Sequence, residues 1–95
     1  MQRIAIVGCP GSGKSTLAGQ LADKIDASHV ELDALFHQSD WEPTPIPEFR
    51  AKVSAALSSD RWVVDGNYRP VEDLVQAGAD TIIWLDLARW RVMSR

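Results

Sequence analysis

The chain has 95 residues, 45% of them apolar and 24% charged, which bounds it to one packed domain and excludes disordered, collagen-like and disulfide-built classes. A formal net charge of −3 with scattered basic residues lacks the broad positive face of a nucleic-acid binder and argues against DNA as a partner. The single Cys9 cannot pair internally, no charged-and-apolar leader opens the chain, and no apolar run reaches the ~20 residues of a membrane span, so the expected home is the cytoplasm, away from any membrane.

Ile4 to Val7 is a continuous aliphatic run, which suits a strand buried on both faces of a parallel sheet, and Gly8 stops it. After a glycine-rich turn, Leu17, Ala18, Leu21, Ala22 and Ile25 recur at helical spacing, predicting a helix from about Lys14. His29 to Leu32 is the second strand. The proline- and aromatic-rich FHQSDWEPTPIP that follows is incompatible with regular helix and is expected to be an exposed loop. Pro47 then opens a helix with Phe49, Val53, Ala56 and Leu57 inward. Trp62 to Val64 is the third strand. Pro70 begins a short helix that Gly78 caps, Thr81 to Leu87 is the fourth strand, and Ala88 onward reads as the start of another helix. Strands alternating with helices predict an α/β fold of the P-loop NTPase type, with a parallel β-sheet and helices on both faces.

The motif that carries chemistry is G-x-x-x-x-G-K-[ST], met by Gly8, Cys9, Pro10, Gly11, Ser12, Gly13, Lys14 and Ser15 between a buried strand and an amphipathic helix. Glycines at 8, 11 and 13 let successive backbone N–H groups point at phosphate oxygens, and the following helix adds unpaired N–H groups and its positive dipole end. Lys14 is expected to reach the β- and γ-phosphates of ATP or another nucleoside triphosphate, Ser15 to ligate Mg²⁺, and Thr16 to add a phosphate contact. Cys9 reads as a small loop-filling residue. Two carboxylates end apolar strands and compete for the metal: Asp65 in WVVDGNYR and Asp86 in IIWLD.

With these residues in place, the chain resembles the nucleoside monophosphate kinases. Their adenylate kinases carry a strand ending in DGFPR where this sequence reads DGNYR, Asp65 to Arg69. It is similar also to the bacterial adenylate-kinase-like P-loop proteins of the DNA topology modulation type, through GCPGSGKSTLA, ELDALF, the Trp41-x-Pro43 pair, EFR and WVVDGNYR. The resemblance implies Asp65 at the metal and Arg69 on substrate phosphates. It also implies that Glu31 and Asp33, which flank Leu32 after the second strand, are substrate- or metal-binding acids as in shikimate kinase and related small-molecule kinases, with Asp33 near the acceptor; strand alternation would put both on one face. Arg50 either falls in the region that holds the acceptor or is a surface salt-bridging arginine, Trp41 either lines an acceptor pocket or pins its loop to the core, and Arg95 falls where the first lid arginine would stand. Ser15-Thr16 in place of Gly-Thr, and Asn67-Tyr68 in place of Phe-Pro, leave the acceptor open between a small molecule and a nucleotide.

The resemblance covers all 95 residues, which match the first part of such a kinase, before the lid and the fifth strand. Two functions follow: an ATP- and Mg²⁺-dependent phosphotransferase, or a nucleotide-binding regulatory or interaction module with impaired turnover. In the family's strand order 2-3-1-4-5, loss of the fifth strand makes Thr81 to Leu87 an edge, apolar on both faces and open to self-association.

Overall fold

The computed structural model describes residues 2–8, 13–37, 44–85 and, by its backbone, the strand at 90–94. One sheet contains β1 (Arg3–Gly8), β2 (Ser28–Glu31), β3 (Trp62–Asp65), β4 (Thr81–Leu85) and β5 (Trp90–Ser94), in the order β2-β3-β1-β4-β5. The first four are parallel: β1 lies between β3 and β4, and β2 lies outside β3. Parallel neighbours require long crossovers. Helix α1 (Lys14–Ile25) leads from β1 to β2, α2 (Leu32–Phe36) and α3 (Ile46–Ala56) lie between β2 and β3, and a 3-10 turn at Arg69–Val71 with α4 (Glu72–Gly78) joins β3 to β4.

Side chains that alternate along the strands feed two cores, one on each face of the sheet. Ile4 and Ile6 of β1, Val63 of β3, and Ile83 and Leu85 of β4 pack with Ala18 and Ala22 of α1. Ala5, Trp62 and Val64 point the other way, onto Phe49 and Val53 of α3 and Val75 of α4. The parallel α/β sheet with helices on both faces is therefore as expected, and so are the strand run 2-3-1-4 and the inward Phe49 and Val53.

Several local expectations are corrected. Leu32–Phe36 is a short helix, so β2 ends at Glu31 and the strand alternation that would put Glu31 and Asp33 on one face does not apply. The buried Thr44 ties the segment after α2 back onto it, its N–H to the Phe36 carbonyl at 2.7 Å and its hydroxyl to that of Leu35 at 3.2 Å. Gly78 is the last residue of α4 and not its cap; a Cβ there would lie 3.1 Å from the Trp62 ring, so its small size serves packing. Residues 90–94 form a strand where a helix was expected, antiparallel to β4. With four residues between them, two strands can pair only antiparallel, and Trp and Val favour the extended state. Consequently β4 is paired on both sides, and the open edge from which self-association was expected is filled. Asp86 and Leu87 lie outside the described residues.

Gly8 has φ +150°, and a Cβ on it would lie 1.7 Å from the Leu85 carbonyl oxygen, so the end of β1 approaches β4 as only glycine allows. Gly19, inside α1, differs: a Cβ there would make ordinary contact with the His29 ring at 3.7 Å. Denaturant unfolding should therefore show Gly8→Ala destabilised by about 3 kcal/mol or more. Gly19→Ala should be more stable by up to about 1 kcal/mol through helix propensity.

Candidate functional site

The C-terminal ends of β1 and β3 lie side by side, Ile6 in register with Asp65, where the phosphate-binding loop leaves β1. This is the position at which open α/β sheets take ligands. Gly13 is the N-cap of α1 in a left-handed conformation, φ +87°, without a side-chain cap and without an acidic residue in the first turn. The first-turn N–H groups and the positive end of the helix dipole are thereby presented to an anion. A cleft of about 580 Å³ opens there, lined by Gly13, Lys14, Ser15, Thr16, Asp33, Asp65, Gly66, Asn67 and Tyr68.

Within the cleft the Lys14 ammonium donates to the Gly8 carbonyl at 3.2 Å, and the Asn67 amide donates to the same oxygen at 2.7 Å. Asp65 is buried, the residue 4% exposed. Its Oδ1 accepts from the Ser15 hydroxyl at 3.4 Å, and its Oδ2 lies 2.6 Å from His29 Nε2. The Tyr68 hydroxyl donates to Asp33 Oδ1 at 2.5 Å. Burial first, and then the hydrogen bond to Asp33 and its charge, push the Tyr68 phenol up to about 12. Its ring packs with Phe36 and Phe49, centroids 4.9 and 5.4 Å away, which joins α2, α3 and the loop after β3.

The structure thus gathers Gly13, Lys14, Ser15, Thr16, Asp33 and Asp65 around one space, with Gly8 beside it. Asp33 sits in the first turn of α2. Arg69 instead lines a neighbouring, largely apolar cavity of about 490 Å³ with Val7, Ile82 and Trp84. Arg50 is engaged elsewhere: two of its nitrogens reach Asp73 at 2.8 and 3.0 Å, and one also donates to the Pro70 carbonyl at 2.5 Å. The hydrogen bond and the charge of the pair raise Arg50 and lower Asp73 from their ordinary values. Cys9, Pro10, Gly11, Ser12, Trp41, Asp86 and Arg95 lie outside the described residues. Sequence reasoning assigned no role to His29, Asn67 or Tyr68. The last two follow a strand-terminal Asp, a local signal that could have flagged them; His29 meets Asp65 only across the β2–β3 pairing.

No protein-family model matches the chain. It is 35% identical to an adenylate kinase of Cyanothece over 65 residues, which is 68% of this chain and 32% of that protein. It is 30% identical to an ATP-dependent kinase of Kluyveromyces lactis, over 84% of this chain and 26% of the relative. An adenylate kinase of Mesomycoplasma hyopneumoniae is 33% identical over 67% of this chain and 29% of its own length. The chain therefore spans about a third or less of the length of the curated relatives it matches. Among solved structures, a gluconokinase from Sinorhizobium meliloti aligns with TM-score 0.57 at 21% identity, covering 87% of this chain and 55% of that one. A sugar kinase from Janibacter aligns at 0.53 with 18% identity, covering 92% and 60%. At these identities the structures establish the fold. The sequence matches support a P-loop, nucleoside-monophosphate-kinase-like family, and the fold agrees with it.

Tyr68 is the chain's single tyrosine, so absorbance titration of the phenolate reads it alone. The expected midpoint is near 12, falling in Asp33→Asn toward 10.0 but staying above it, because burial persists. The native state holds this proton more tightly than the unfolded chain. Its stabilising contribution is therefore complete below about pH 10 and lost as pH rises through about 12. A wild-type midpoint at the ordinary value, with the fold intact by circular dichroism, contradicts the Tyr68–Asp33 contact.

Proposed function

We propose that this member of the P-loop, nucleoside-monophosphate-kinase-like family binds a nucleoside triphosphate with Mg²⁺ in the cleft at the start of α1, as the nucleotide-binding part of a phosphotransferase acting on a small molecule or nucleotide. The observation that carries this reading is the convergence of the α1 N-terminus, Lys14, Ser15 and Asp65 on one cleft. Phosphoryl transfer depends on positioning and on positive charge around the moving group, and these elements supply both. The similarity to proteins named adenylate kinase and ATP-dependent kinase supports ATP as the donor.

The donor set near Lys14 fits a hard divalent cation. Among the described residues no cluster of three or more His, Cys, Asp or Glu side chains could hold a metal alone. Ser15 and Asp65 instead offer a hydroxyl and a carboxylate 3.4 Å apart. Mg²⁺ is commonly held by one or two such oxygens together with substrate phosphates and water. When bound, the ion would neutralise charge on the phosphate oxygens. The Lys14 ammonium rests on the Gly8 carbonyl, and a phosphate would offer it a stronger, charged acceptor. Asp33, with its oxygen on the Tyr68 hydroxyl, stands on the side of the cleft assigned to the acceptor, where a substrate hydroxyl could replace the phenol as donor. Arg69 and Arg95 are assigned to stabilising charge during transfer.

A second reading, a nucleotide-binding module with impaired turnover, is favoured by one placement: Arg69 lines the neighbouring cavity and not the cleft. Acceptor-dependent formation of ADP from ATP, measured with a panel of hydroxyl compounds and nucleotides, separates the two.

Calorimetry with ATP and Mg²⁺ should show Lys14→Ala binding roughly ten- to a hundred-fold more weakly, as expected for a charge-assisted contact of ~1.5 to 3 kcal/mol. Asp65→Asn should retain metal-free affinity and lose the gain that Mg²⁺ gives. Unchanged triphosphate affinity in Lys14→Ala would refute the site.

A further inference from the structure

A carboxylate at the end of a strand turns with little preference about its last torsion, so something must choose which oxygen faces the ligand. At Asp65 burial makes the choice matter, because at 4% exposure water cannot satisfy a misdirected oxygen. The selecting group comes from the adjacent strand. His29 on β2 is in register with Val63, two residues before Asp65, and its ring reaches along the sheet until Nε2 is 2.6 Å from Oδ2. An ionised carboxylate only accepts hydrogen bonds, so Nε2 carries the hydrogen in this contact whatever the charge of the ring. With Oδ2 so held, Oδ1 is the oxygen left toward the Ser15 hydroxyl, at 3.4 Å. The other ring nitrogen, Nδ1, is 3.8 Å from Glu31 Oε1, beyond hydrogen-bond distance, and the ring packs beside Gly19 of α1.

We propose that His29 is a positioning residue: it aims the Asp65 carboxylate at the Ser15 hydroxyl and thereby sets how strongly a divalent cation contributes to nucleotide binding. This rests on the reading of Asp65 as the metal-binding carboxylate. Groups that orient a ligating side chain typically change metal affinity 10- to 100-fold when removed. A histidine that merely satisfied a buried oxygen would affect folding and leave the metal dependence alone.

The test is calorimetric titration with ATP, in Mg²⁺ and again in a chelator, on the wild type, His29→Leu and His29→Gln, with melting temperatures measured alongside. His29→Leu should keep its metal-free affinity within about two-fold, while the gain from Mg²⁺ falls on the order of ten-fold or more. His29→Gln, whose amide can present an N–H near the place of Nε2, should recover most of that gain. If His29→Leu does not fold, His29→Asn, whose shorter amide falls short of Asp65, should show the same selective loss. A full Mg²⁺ gain in the folded variant that lacks the donor overturns the proposal, as does a loss shared equally by metal-free binding or a Gln variant no better than Leu. A wild type that binds ATP without any gain from Mg²⁺ overturns the metal role of Asp65 itself, and this inference with it. The two failures are therefore distinct.

Discussion

The close approach of β1 to β4 at Gly8 is the constraint on which the site depends. The glycine lies against the Leu85 carbonyl with no room for a side chain, and its own carbonyl receives both the Lys14 ammonium and the Asn67 amide. One residue thus sets the sheet spacing where the phosphate-binding loop departs and anchors groups from α1 and from the loop after β3. Its glycine is required for backbone contact with a neighbouring strand, a reason different from the phosphate-facing N–H groups that the motif suggests.

A second constraint is the burial of Asp65. A carboxylate removed from water needs partners, and a helix and a neighbouring strand provide them. α1 brings Ser15 and β2 brings His29, so the demand for satisfied hydrogen bonds also fixes the carboxylate's direction. On the proposed reading, stability and metal binding are served by the same contacts. The first turn of α1 is the counterpart: its N-cap Gly13 has no side chain to cap it and the turn holds no acidic residue, which leaves helix-end donors directed at the cleft.

The far side of the cleft is organised by aromatic packing. Tyr68 reaches Asp33 with its hydroxyl while its ring rests on Phe36 and Phe49, so the loop after β3 is packed together with α2 and α3. The same packing bears on the acceptor side proposed for this cleft. Arg50, close in sequence to Phe49, is drawn away to Asp73, which separates the residues that shape the cleft from those that brace the helices around it.

The sequence alone determined the elements whose patterns are local: the buried run of β1, the three-turn α1 with its glycine-rich entry, the proline-led α3, and the strand ending in Asp65. Each is legible because side-chain periodicity and the special residues Gly and Pro act over a few positions. Strand order followed from family resemblance, not from periodicity. What only the tertiary structure decided were features that depend on residues far apart in the chain. The His29–Asp65 contact spans two strands, Gly78 is small because Trp62 lies over it, and β5 pairs with β4 in place of the expected helix. Leu32–Phe36 is a helix although Leu32 reads as the end of the second strand and Phe36 as the start of a loop, since five residues are too few for a periodic signal and Leu32 is buried in the core. Propensity speaks for a segment alone; packing and hydrogen-bond satisfaction speak for what it meets.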